Sequence, residues 1–86
     1  MSNLVETRVA FSVKFGPEGR AQTGQTGVFQ VAQTLDEEFY RSLNKDQQYG
    51  GANLKSWISR NLFGEFIGSI SPGDNWTIVE PIIYRV

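Results

Sequence analysis

Residues 16–27, GPEGRAQTGQTG, gather four glycines, one proline and one arginine with no aliphatic side chain larger than alanine. Phosphate cradles, binding fingers and plain connections are all built from such residues. A phosphate-binding loop needs a lysine beside Ser or Thr after its last glycine, at the start of a helix. Here the stretch ends Thr26-Gly27-Val28 and leads into an alternating segment, so both requirements fail. Gly16 and Gly19 have the G-x-x-G spacing of an RNA-clamping loop, but that clamp needs flanking helices. What remains is a finger or a flexible connection. Arg20, Gln22, Thr23, Gln25 and Thr26 supply its hydrogen-bonding groups.

The chain contains neither cysteine nor histidine, which removes thiolate and imidazole chemistry, disulfides and the usual zinc ligands together. Carboxylates, lysines and lysine-activated hydroxyls are left as candidates for catalysis. Glu80 is the one notable acid, because straight alternation puts it between Ile78 and Ile82, where desolvation would raise its proton affinity. Against this stand a bulge at Pro81 that would turn Glu80 outward, and pairing with Arg41 or Arg60. No second acid stands at a fixed spacing from it. The expectation is a non-enzyme with no cofactor and no metal. Residues 49–53, YGGAN, could form an anion-binding helix start assisted by Lys55, although capping by Asn53 explains them more simply. Asn75-Trp76-Thr77 matches the glycosylation sequon, and without an export signal it reads as coincidence.

The elements that must position these residues follow from periodicity. In LVETRVAFSVKF (4–15), Val5, Val9, Phe11, Val13 and Phe15 alternate with Glu6, Arg8, Ala10, Ser12 and Lys14, as in a half-buried strand. GVFQVAQ (27–33) repeats the pattern with Phe29 and Val31 inward and predicts the return strand of a hairpin. Thr34, with Glu37 three residues on, fits a capping box opening a short helix with Leu35, Phe39 and Leu43 on one stripe. Asn44-Lys45 marks its end and residues 46–51 the connection. A second helix from about Asn53 places Leu54, Trp57, Ile58, Leu62 and Phe66 together and stops at Gly64 or Gly68. After a turn over 69–74, NWTIVEPIIYRV alternates again, with Trp76, Ile78, Ile82, Tyr84 and Val86 inward and Val79 and Ile83 outward. Pro81 cannot donate to a ladder, so this strand lies at an edge or bulges near Glu80-Pro81.

The order β-β-α-α-β predicts a single α+β domain over 1–86: a small antiparallel three-stranded sheet, first strand central, with both helices packed on one face. Ala10, Val28, Ala32, Val79 and Ile83 would then form a modest apolar patch on the reverse face. Tyr40 and Tyr49 are the rings expected at the surface, and Phe11, Phe15, Phe29, Phe39, Trp57 and Trp76 the rings expected in the core.

With a net charge of −1 and charges scattered singly, the chain has no broad electrostatic footprint for nucleic acid or anionic lipid. No run approaches the ~18 apolar residues of a membrane span. The sequence therefore reads as a soluble, cytoplasmic protein-binding module: an assembly component, an adaptor, or an inhibitor such as a phage-encoded counter-defence protein in host cytoplasm. Its contacts would come from the 16–27 loop (Arg20, Gln22, Thr23, Gln25), the outer sheet face (Val28, Val79, Ile83), Tyr40 and Tyr49, or strand addition at the C-terminal edge. The partner would be another protein, or a second copy in a homo-oligomer. Two other classes stand as alternatives: a nucleic-acid module using Arg20, Lys14 and Arg8, and a small-ligand protein or enzyme centred on Glu80.

Overall fold

The computed structural model describes residues 3–62 and 73–86. Phe66, the two glycine stops of the second helix and the 69–72 part of the turn lie outside them. Strand β1 (Leu4–Gly16) is followed by the short β2 (Gly24–Gln25) and β3 (Phe29–Asp36). Helices α1 (Glu37–Gln48) and α2 (Ala52–Asn61) come next, then strand β4 (Asn75–Arg85). The antiparallel sheet has four strands, and β1 pairs with each of the other three, which puts it in the middle as its length and regularity predict.

The fourth strand arises because the return limb of the hairpin is split. Lys14 pairs with Gln25 and Phe11 with Phe29, so Ser12 and Val13 face three residues, 26–28. That extra residue interrupts the ladder. The gap is bridged by Thr26, whose N–H donates to the Val13 carbonyl at 2.9 Å while its Oγ1 accepts from the Val13 N–H at 3.0 Å.

Odd-numbered residues of β1 face the helices. Val9, Phe11 and Val13 form the core with Val31, Leu43, Leu54, Ile58, Leu62, Ile78 and Ile83. Burial of these apolar side chains is what holds the helical layer on the sheet. Phe11 and Phe29 add a tilted ring pair at 5.4 Å. Thr7, buried in the same row, satisfies its hydroxyl by donating to the Gln33 carbonyl at 2.9 Å.

Several local expectations are corrected. Thr34 does not cap α1: β3 continues through it, paired with Glu6, and Asp36 caps instead by accepting from the Glu38 and Phe39 N–H groups. Leu35 consequently belongs to the strand and not to a helical stripe. The Glu37 carboxylate meets Arg41 at 3.2 Å and Arg85 at 3.5 Å. Helix α1 also runs on to Gln48, past the expected stop at Asn44-Lys45.

Asn53 does not cap α2 either. Asp46, in the last turn of α1, accepts from the Leu54 N–H at 3.0 Å and from Asn53 Nδ2 at 3.1 Å. One helix thereby caps the next through a carboxylate placed at its positive end. Gly51 makes the tight junction with φ of 76°, a conformation that costs a non-glycine residue about 1–2 kcal/mol.

The largest correction concerns β4. Ala10 pairs with Ile82 and Ser12 with Val79, so Glu80 and Pro81 together face Phe11. This is the bulge that Pro81 foreshadows, and Glu80 takes φ of 50° within it. The extra residue reverses side-chain parity downstream. Ile83, expected outside, is a core residue with 1% exposure, whereas Ile82, Tyr84 and Val86, expected inside, are exposed.

Candidate interaction surface

Among the described residues, no element packs on the face of the sheet opposite the helices. Its composition can be read in rows across the strands. Thr34, Glu6 and Val86 form one row, Ala32, Arg8 and Tyr84 the next, and Gln30, Ala10 and Ile82 the third. Ser12 with Val79 and then Gln25, Lys14 and Thr77 complete it. The β4 side is thus an apolar strip of Val79, Ile82, Tyr84 and Val86, about 20 Å long at a strand's rise per residue. Ile82 is 44% and Tyr84 41% exposed. Small residues on β1 leave the strip standing proud: Ala10 and Ser12 are buried between their larger neighbours on the flanking strands. The β3 side is polar and uncharged.

The face ends at the hairpin loop. Gly16 has outer-face parity, and a Cβ there would come within 2.5 Å of the Ala21 carbonyl oxygen and 2.9 Å of the Gln22 Cα. Only glycine lets the returning chain cross so closely over the end of β1. Gln22 then reaches β4, donating from Nε2 to Asn75 Oδ1 at 2.6 Å and to Thr77 Oγ1 at 3.0 Å. Asn75 Nδ2 donates back to the carbonyls of Pro17 and Arg20. The 16–27 stretch is therefore a strap tied across the sheet, not slack chain, and most of its residues are exposed. Gln22 is half-buried, with its side-chain amide nitrogen engaged within the fold. Gln25 lies in β2 and donates to Ser12 Oγ at 3.2 Å, while Thr23 and Arg20 remain exposed.

The other sequence-derived candidates divide as follows. Val79 lies on the outer face, Val28 is 71% exposed in the unpaired 26–28 stretch across β1 from it, and Tyr49 is 78% exposed at the end of α1, away from the sheet face. Tyr40 is half-buried against the core, not a free surface ring, and Ile83 belongs wholly to the core. Phe39 and Trp76, expected in the core, are exposed, Phe39 stacking edge-on against Trp57 at 6.1 Å. Sequence reasoning missed Ile82, Tyr84, Val86 and the exposed Leu4. Proline within an alternating strand was the available signal, since a bulge there requires parity to be counted afresh.

Glu80 is exposed at the bulge, so the desolvated carboxyl that motivated an enzyme reading does not form. The anion-site reading of the α2 start fails on geometry, because Asp46 already occupies that position. Arg8 and Lys14 share the outer face but stand six residues apart with Glu6 beside Arg8, and Arg20 lies in the strap, two residues after Glu18. A cleft of about 430 Å³ between α2 and β4 is lined by Lys55, Ser56, Ser59, Arg60, Trp76 and Thr77, together with Ile78. Among the described residues, no group of three or more acidic side chains is placed to hold a metal, and no helix is long and apolar enough to cross a membrane.

The two long edges of the sheet differ. On β4, the Ile83 N–H donates to Gln47 Oε1 at 2.8 Å and its carbonyl accepts from Asn44 Nδ2 at 3.2 Å. Two side chains of α1 thus fill the positions an added strand would take. Gly51 also sits against Pro81, where a Cβ would lie 3.3 Å from Pro81 Cγ. This middle of the C-terminal edge, expected to accept a strand, is closed.

No family model, no curated protein and no solved structure matches the chain.

Proposed function

We propose that the protein is a non-catalytic protein-binding module that works through the face of its sheet opposite the helices. The observation that supports this reading is the division of β4 by its bulge. Five apolar residues alternate in a way that would bury one set, yet the bulge assigns Ile78 and Ile83 to the core and presents Val79, Ile82 and Tyr84 to solvent. An apolar strip rimmed by polar groups and by the charged side chains Glu6, Arg8 and Lys14 has the make-up of a protein interface. A complementary partner offers an apolar ridge to β4 and hydrogen-bonding groups or charges of both signs to the middle strand. Assembly component, adaptor and inhibitor are all roles such a surface serves, and the cytoplasm is the proposed location.

The test compares baits in extract from the native source. Wild-type protein should enrich a protein that the Ile82→Glu, Tyr84→Glu double variant loses and that Tyr49→Ser, altered off the face, retains. Identical recovery by wild type and double variant would contradict the reading. A shift of a labelled oligonucleotide that weakens steeply with salt would favour the nucleic-acid alternative.

A further inference from the structure

We propose that β3 pairs edge to edge with β3 of a second copy of this chain, joining two sheets about a two-fold axis at Ala32. This goes beyond the reading of the open face and involves a different surface. Backbone direction comes first. Odd residues of β1 direct their ladder bonds to the β3 side: the Asn3 carbonyl accepts from the Glu37 N–H at 2.8 Å, continuing the β3 register. Even residues direct theirs to β4, as the Glu6 carbonyl does in accepting from the Val86 N–H at 3.0 Å. Since facing pairs in an antiparallel ladder alternate in this way, the N–H and C=O groups of Gln30, Ala32 and Thr34 point away from β1. No other described element caps them, in contrast to Ile83 on β4. All three residues are exposed.

Charge and register select the occupant. Edge strands of monomers are commonly guarded by lysine, proline or a bulge. From residue 21 to residue 35 there is no charged side chain and no proline, and β3 itself has no register shift against β1. Two copies of such an edge meet without like-charge repulsion. With the axis at Ala32, Gln30 hydrogen-bonds as a ladder pair with the partner copy at the Thr34 position, and the reverse. On the helix side, Phe29 falls opposite the Leu35 position of the other copy, in a close non-hydrogen-bonded pair. Both are only half-buried in the single chain, flanking the buried Val31, so the same contact completes the cover of both. A two-fold contact of this kind closes on itself and leaves the two outer faces continuous.

The experiment is sedimentation equilibrium across a concentration series, on wild type and on Ala32→Lys and Ala32→Glu. Residue 32 is exposed, so both variants should fold, which circular dichroism melting checks. Wild type should be a dimer, each variant alone a monomer, and an equimolar mixture of the two a dimer again, because opposite charges then face each other across the axis. A wild type that stays monomeric at every concentration, a dimer indifferent to Ala32→Lys, or a mixture that fails to reassociate would overturn the inference. A dimer dissociated by Ile82→Glu but not by Ala32→Lys would overturn it while leaving the open-face reading standing.

Discussion

Ile78 and Ile83, five residues apart on one strand, point to the same side of the sheet and both reach the core. An odd separation should set them on opposite faces, and the bulge at Glu80-Pro81 absorbs the difference. Pro81 has no N–H to offer the ladder, so the extra residue falls where pairing is already weakened.

The adjacent isoleucines should therefore differ sharply in what they contribute. Ile83→Ala removes a buried side chain and should cost ~2–5 kcal/mol. Ile82→Ala, at a site 44% exposed, should cost less than about 1 kcal/mol. Urea denaturation of the two variants measures both, and equal losses would count against the parity reversal.

Glu80 holds a left-handed backbone with φ of 50°. Glycine adopts that conformation freely, so Glu80→Gly should be neutral or stabilising by up to about 1 kcal/mol, while Glu80→Val should destabilise by about 1–2 kcal/mol. Chemical denaturation would show whether the order is reversed, in which case the bulge geometry is wrong.

Two glycines of the 16–27 strap should respond differently to the same change. Gly16→Ala drives a Cβ into the Ala21 carbonyl and should cost ~1–3 kcal/mol, whereas nothing lies within 4 Å of a Cβ at Gly27. Thermal melting of both alanine variants tests the crossing of the strap over β1, and a harmless Gly16→Ala would remove it.

Asp46→Ala should cost ~0.5–2 kcal/mol through loss of the cap on α2. Asn53→Ala should cost less, since Asn53 supports the cap without making it. Hydrogen exchange should show the loss of protection concentrated at Leu54 rather than spread over the sheet.

The sequence made the local periodicities plain, and the structure explains where that legibility stops. The alternation of 4–15 and the spacing of Leu54, Ile58 and Leu62 are carried by neighbours in the chain, and both elements form where they predict. The caps were harder. Thr34 and Asp36 are both good capping residues, and the choice fell to how far β3 stays paired with β1. Asp46 capping α2 and Gln22 reaching Asn75 are contacts between residues distant in sequence or in separate elements, for which spacing carries no signal. On the candidate surface Val79 was legible, whereas Ile82 and Tyr84 were not, because one inserted residue reverses every assignment after it.

The presence of Val79, Ile82 and Tyr84 on an open face is best tested by methyl NMR with a soluble paramagnetic probe. The δ-methyl of Ile82 and the γ-methyls of Val79 should be strongly broadened by the probe while those of Ile83 and Ile78 stay sharp. Broadening of Ile83 with protection of Ile82 would contradict the account.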